Sequence, residues 1–297
     1  MTSPLIEPAL SGLALADEIR RTQPSIGEIA IWWLGQSGFL IKSRSRTLII
    51  DPYLSESLTR KYQHTAKPHI RMTRCPIAPE ALTMVDWILC SHKHSDHLDP
   101  ETAPAVLNAS PRARLIAPAA LEEHLAALKI DLSRTVGMIA EQTVEDEGVK
   151  ITAIPSAHET LETDDWGRHL YLGFLLEIDG IRLYHSGDTM RYDGLAERLT
   201  RDRNAWRFDA LFLPINGRDP ARGVAGNMSS RDAIELASQV RPRHLIPHHY
   251  DMFTFNTASV AEFETLARRE LPAEVEPRVP RCGELWRLRS ALDSERS

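Results

Sequence analysis

Cysteine is scarce in this chain: Cys75, Cys90 and Cys282 make an odd number, and no CxxC pair occurs. That argues against a disulfide framework or a zinc ribbon and fits a reducing cytosol, so a cytoplasmic location is expected. Long apolar runs are missing as well. None reaches the ~18 residues of a bilayer-spanning helix, and no membrane partner is expected. Residues 1–20 lack a basic start followed by an apolar stretch, because the short run Leu10 to Ala16 meets Asp17 and Glu18; no signal peptide is read. Positive charge is not in surplus either. The formal net charge is −6, which makes nucleic acid a poor candidate for partner. Internal repeats, low-complexity tracts and long linkers are absent.

What remains is a chain of 297 residues with 42% hydrophobic and 26% charged residues, which are globular values and enough for a substantial core. Residues 1–28 read as an N-terminal helical arm and 291–297 as a tail, with one large domain over 29–290 between them. Within it, Ile29 to Gly35, Phe39 to Lys42 and Thr47 to Asp51 read as strands, the last stopped by Pro52. Residues 54–78 are polar, basic and proline-punctuated, as in a loop with short helices. Strands are expected at 85–90, 114–117, 149–154, 173–178, 181–185, 209–214, 243–247 and 284–288. Helices are expected at 103–108, 118–128, 229–239 and 258–269, the third started by a Ser229 cap. Strands come first, then alternate with helices, and the pattern repeats in the second half. Two mixed sheets packed face to face, with helices outside, satisfy that order.

The chemistry concentrates in Ser91-His92-Lys93-His94-Ser95-Asp96-His97. Imidazole nitrogen and carboxylate oxygen suit divalent transition ions such as zinc, manganese or iron. In an extended stretch His92 and His94 point the same way, so both reach one ion. Asp96 and His97 follow where the chain turns and are free to face a second. Three more groups stand just past predicted strands: His158 after Ile154, Asp188 in His185-Ser186-Gly187-Asp188, and His249 in Pro247-His248-His249. Strand ends and their loops are where sites are assembled. His248 competes with His249 for the last role. His64, His69, His124, His169 and His244 read as ordinary surface or core residues.

These motifs resemble the metallo-β-lactamase superfamily, and the likeness spans nearly the whole chain. Trp32-Trp33-Leu34-Gly35, Asp51-Pro52, His185-Ser186-Gly187-Asp188, Pro214-Ile215-Asn216-Gly217-Arg218-Asp219 and Ile246-Pro247-His248-His249-Tyr250-Asp251 look like the branch that contains L-ascorbate-6-phosphate lactonase. The resemblance implies an α/β fold, a four-layer αββα sandwich with the site at one edge. It implies one or two divalent ions (zinc, manganese or iron): His92, His94 and His158 on one, Asp96, His97 and His249 on the other, and Asp188 between them. His249 is preferred to His248 because the family's ligand stands two residues after the proline.

Two cations lower the pKa of a shared water toward neutrality, and the resulting hydroxide attacks a carbonyl or phosphoryl centre. Asp96 is the catalytic residue expected to orient the nucleophile or pass a proton to the leaving group. Asn216, Arg218 and Asn227 fall in a glycine-rich loop and are candidates for holding an anionic substrate. An equally weighted alternative pairs Arg218 with Asp219 or Asp232 as a structural tie. Arg60, Lys61, Lys67, Arg71 and Arg74 form either an entrance for an anion or a solvated face, and Trp166 and Tyr250 are candidates for pocket walls. The leading function is a hydrolase of a lactone or ester of a small, phosphorylated sugar acid. A phosphodiesterase is the alternative. A non-catalytic metal-binding scaffold ranks last, since degenerate members should have lost ligands. A homo-oligomer is left open.

Overall fold

The computed structural model describes residues 4–201 and 207–291. In chain order the first half comprises α1 (Gly12–Arg21), β1 (Glu28–Gly35), β2 (Gly38–Lys42), β3 (Thr47–Ile50), α2 (Ser57–Tyr62), β4 (Trp87–Leu89), α3 (Thr102–Ala109), β5 (Arg114–Pro118), α4 (Glu122–Ala127) and β6 (Thr135–Met138). The second half comprises β7 (Thr143–Asp146), β8 (Val149–Pro155), β9 (Leu172–Ile178), β10 (Ile181–His185), α5 (Leu195–Thr200), β11 (Ala210–Pro214), α6 (Ser230–Val240), β12 (His244–His248), α7 (Val260–Glu270), β13 (Glu276–Pro277) and β14 (Leu285–Arg289).

The strands form two seven-stranded sheets, ordered β14-β1-β2-β3-β4-β5-β6 and β13-β12-β11-β10-β9-β8-β7. Both are mixed. β3 through β6 run parallel in one sheet, and β10 through β13 run parallel in the other. These are the two mixed sheets with flanking helices expected from the element order.

Period-two alternation explains why four layers form. In β1 every residue is buried, yet successive side chains enter different cores. Ile29, Ile31 and Trp33 join Phe39, Ile41, Phe174, Leu176 and Phe212 between the sheets. Ala30, Trp32 and Leu34 face outward onto Leu15 and Ile19 of α1 and Val106 and Leu107 of α3. The outer face of the second sheet is covered by α6 and α7 through Ala233, Ile234, Phe263 and Ala267. Each fully buried large side chain contributes about 1.5–3 kcal/mol.

The expected serine cap is present: Ser229 accepts from Asp232 N and closes a capping box at the start of α6. Several expectations need correction. Among the described residues of the N-terminal arm, only Gly12–Arg21 is helical; Ile6 instead bridges Thr73, and Ala9 N donates to Cys282 O. The helix is not a detached arm, because Leu15, Ala16 and Ile19 are buried and Lys42 Nζ caps its last turn at Ile19 O (2.8 Å) and Arg20 O (3.2 Å). Residues 118–128 form a 3₁₀ turn (Ala119–Leu121) followed by α4 rather than one helix. The unexpected strands β6 and β7 are sheet edges, half-exposed, and therefore lack the apolar run that marks the central strands. Of the predicted tail, residues 292–297 lie outside the described residues. All three cysteines are free thiols, and no described helix is long and apolar enough to cross a membrane.

Candidate metal centre

Because β3, β4, β10 and β12 are parallel within their sheets, their C-terminal ends open on one edge of the sandwich. Asp51 follows β3, His92 follows β4, Asp188 follows β10 and His249 follows β12. His158 follows β8 at the same edge. The turns are tight. His249 sits at φ +62° and Asp51 at φ +44°, in the left-handed region that non-glycine residues seldom occupy. Gly187 (φ +60°) lets the loop carrying Asp188 lie against the histidine loop, since a Cβ there would come within 2.6 Å of Ser91 Cβ.

The sequence-predicted ligands converge. Donor atoms of His92, His94 and His158, of His92, His97 and Asp188, and of Asp96, His97 and His249 each lie within 4.8 Å of one another. Asp188 stands between the groups: Oδ1 is 3.3 Å from His97 Nε2, while Oδ2 is 3.3 Å from His249 Nε2 and 4.0 Å from His158 Nε2. Asp96 Oδ2 is 3.7 Å from His97 Nε2 and 3.6 Å from His249 Nε2.

Outer partners orient the rings. His97 Nδ1 contacts Asp51 Oδ2 at 2.7 Å, His158 Nδ1 donates to Gly226 O at 3.0 Å, and His92 Nδ1 meets Ser91 Oγ at 2.9 Å. All three turn Nε2 toward the shared space. There, His92 Nε2, His97 Nε2 and Asp188 Oδ1 are buried with no hydrogen-bond partner. Buried polar atoms left without partners are costly unless a cation takes them up, and this donor set fits zinc, manganese or iron.

Electrostatics divide the histidines. Burial lowers His92 far below the ordinary imidazole range, lowers His94 to about 4, and lowers His158 as well. Burial opposes charge on His97 too, but Asp188, Asp51 and Asp96 outweigh it and raise that residue well above the usual value. Asp188 is pushed well below the carboxylate range despite burial, because His249 and His97 face it.

His248 is not part of this cluster. Its ring stacks on His185 (4.8 Å between centroids, 4° between planes), and its Nδ1 meets Ser37 Oγ. The positive φ at the next residue turns His249 toward Asp188 instead.

A cleft of about 520 Å³ opens onto the cluster, with Asp96, His94, His158, Asp188 and His249 in its floor. Asn227 lines it. Asn216 lies behind, its amide donating to Asn256 and its oxygen accepting from Asn227. Arg218 is not a lining residue: it is half-exposed and forms a two-bond pair with Glu159 (3.2 and 3.1 Å). The partner is neither of the acids expected, since Asp219 caps Ala221 N and Asp232 belongs to the α6 box. Trp166 is exposed, and Tyr250 is buried against Trp33, so neither forms a wall. From the basic segment only Lys61 lines the cleft; Arg60, Arg71 and Arg74 pair with Glu101, Glu56 and Glu7, and Lys67 donates to Ala221 O and Arg222 O.

Sequence reasoning missed other lining residues. His69 and His124, read as ordinary, both face the cleft, as does Lys93. His69 stacks on Tyr62 (4.2 Å) and contacts Phe255 and Phe253, forming a ring-lined wall. Gln36, in the β1–β2 connection, was also missed: its Nε2 lies 2.8 Å from Asp96 Oδ2 and 3.1 Å from His249 Nε2. Asp51 carried a usable signal, being a carboxylate directly after an apolar strand. Gln36 carried none.

The chain is similar to known proteins in sequence and in fold. A family model described as a beta-lactamase superfamily domain matches residues 46–250. A UPF0173 metal-dependent hydrolase of Archaeoglobus fulgidus is 30% identical over 227 residues, covering 75% of this chain and 84% of that protein. The probable L-ascorbate-6-phosphate lactonase UlaG of Salmonella heidelberg is 25% identical over 286 residues, covering 86% of this chain and 78% of its own. Among solved structures, the metallo hydrolase Igni18 from Ignicoccus hospitalis superposes with a TM-score of 0.63 at 18% identity, covering 88% of this chain and 98% of that one.

Proposed function

This chain is a metal-dependent hydrolase belonging to the metallo-β-lactamase superfamily, and from that premise we propose that it opens the lactone or ester of a small anionic acid. The observation that carries this reading is the cleft. Its volume of about 520 Å³ suits a single small molecule. Lys61 and Lys93 line it, so an anionic group such as a phosphate or carboxylate finds a counter-charge there. The similarity to a lactonase acting on a phosphorylated sugar acid supports the same class.

His92, His94 and His158 would hold one divalent ion and Asp96, His97 and His249 a second, with Asp188 facing both. When bound, such ions supply Lewis acidity at the substrate oxygen and make water a competent nucleophile near neutral pH. Hydrolysis adds a hydroxyl to the acyl carbon, breaks the C–O bond, and leaves the proton on the departing alkoxide. Asp96 is the group that moves or holds that proton. It faces the cleft, and its carboxyl is held below the usual range because His97 and His249 outweigh burial. In the ion-free chain Gln36 Nε2 donates to one of its oxygens.

The test is a side-by-side assay of metal-quantified protein on phosphorylated sugar-acid lactones and bis(p-nitrophenyl) phosphate. Lactone turnover that disappears in Asp96→Asn, without diester cleavage, is the expected result. Diester cleavage without lactone turnover would select a phosphodiesterase and overturn the ester reading.

A further inference from the structure

We propose that Gln36 is a ligand of the second ion, binding through its carboxamide oxygen. This rests on the reading of Asp96, His97 and His249 as that ion's cluster.

Neighbouring donor atoms around a small cation with ~2.1 Å bonds stand about 3.0 Å apart in octahedral geometry and about 3.4 Å apart in tetrahedral geometry. The amide end of Gln36 lies 2.8 Å from Asp96 Oδ2 and 3.1 Å from His249 Nε2. Both spacings match those expected between neighbouring donors of one coordination shell.

As the side chain stands, an N–H₂ group points at two atoms whose lone pairs a cation needs. Those positive hydrogens and a cation cannot share the space. A half-turn about the Cγ–Cδ bond exchanges nitrogen and oxygen with almost no change of shape. The other end, Oε1, is buried without a partner. One buried end lacks a partner in either orientation, so the cation decides which orientation is preferred.

The site is also rigid. Gln36 is 1% exposed and sits at φ +51°. Its carbonyl accepts from Trp33 Nε1 (3.0 Å) and from His249 N (3.1 Å). The main chain of one ligand is thus bonded to the main chain of the other, and little freedom is lost when an ion binds. Strain of this kind persists where the surroundings over-determine it. A neutral carbonyl-type oxygen also favours harder ions, so Gln36 biases the second position toward manganese.

The experiment titrates the metal-free full chain with Mn²⁺ by calorimetry, with ion content checked by mass spectrometry and folding by circular dichroism. Gln36→Leu should weaken the second binding event by about tenfold or more while sparing the first. Gln36→Glu, which keeps an oxygen at the same reach, should bind the second ion at least as tightly as the unaltered chain. Should Gln36→Leu bind it unchanged, the proposal fails. Equal weakening in Gln36→Glu also overturns it, because a residue that only donates N–H to Asp96 cannot be replaced by a carboxylate. If Gln36→Leu does not fold, the direction of the Gln36→Glu shift decides alone. Absence of any Mn²⁺ or Zn²⁺ uptake by the unaltered chain would instead remove the metal-centre reading itself, and this inference with it.

Discussion

Asp51 Oδ2 lies 2.7 Å from His97 Nδ1, and both side chains are fully buried. The same carboxylate accepts from Ser91 N and Ser91 Oγ, each at 2.7 Å. Asp51 therefore fixes both the ring of one candidate ligand and the start of the loop that carries three others. A carboxylate behind a ligating imidazole sets its tautomer and raises its basicity. Asp51→Ala is expected to lower metal affinity about 10–100-fold, measured by competition with a chromophoric chelator. Unchanged affinity would show that the pair is only structural.

Proton release should accompany ion uptake. His97 is raised well above the ordinary imidazole value, whereas burial keeps His92, His94 and His158 below it. Near neutral pH the proton on His97 must leave before Nε2 can bind an ion, while the other three rings have none to lose. Affinity should rise with pH as that proton becomes easier to remove, with about one proton released per chain. Calorimetry in two buffers of different ionisation enthalpy reads this directly. Identical apparent enthalpies would contradict it.

Metal removal should destabilise the fold. The cluster joins loops from both sheets, and an ion that binds only the folded chain at ~100 times its Kd adds about 2.7 kcal/mol. Chelation should lower the Tm, and restoring the ion should recover it. Asp188→Ala should reduce this metal-dependent increment more than His158→Ala, since Asp188 faces both groups.

At the substrate end, Lys61→Ala and Lys93→Ala should each raise KM for an anionic ester and leave a neutral ester little affected. Arg218→Ala should change neither, because Glu159 already holds that guanidinium outside the cleft. A KM rise confined to Arg218→Ala would reverse this assignment.

Asp146 of β7 accepts from Arg46 Nε (2.8 Å) and Nη2 (3.0 Å) and from Trp87 Nε1 (2.8 Å), tying one sheet to the other. The Arg46 hydrogen bond, opposed by burial, holds its carboxyl below the usual range. Its folded value is the lower one, so the stabilisation is full above the ordinary carboxylate pKa and is lost as pH falls through the folded value. Asp146→Asn should cost about 1 kcal/mol near pH 7. Urea melts should show that difference shrinking in strong acid; a gap that widens would refute the sign.

The candidate metal ligands were legible in the amino-acid order because their signal is local. An apolar strand followed at once by a polar ligating group is visible at Leu89–His92, Ile154–His158, Tyr184–Asp188 and Ile246–His249. The inner strands were legible for the same reason, since alternating burial leaves a mark every second residue. Edge strands β6 and β7, half-exposed, leave a weaker one. What lies across from what could come only from the folded chain. Gln36 meets Asp96 and His249 across 60 and 213 residues of sequence, and sheet order, not local pattern, creates that proximity. The choice of His249 over His248 rests on one backbone turn at φ +62°, and Arg218 found Glu159 across 59 residues. Local periodicity sets which face a side chain takes, whereas long-range strand pairing sets its neighbour.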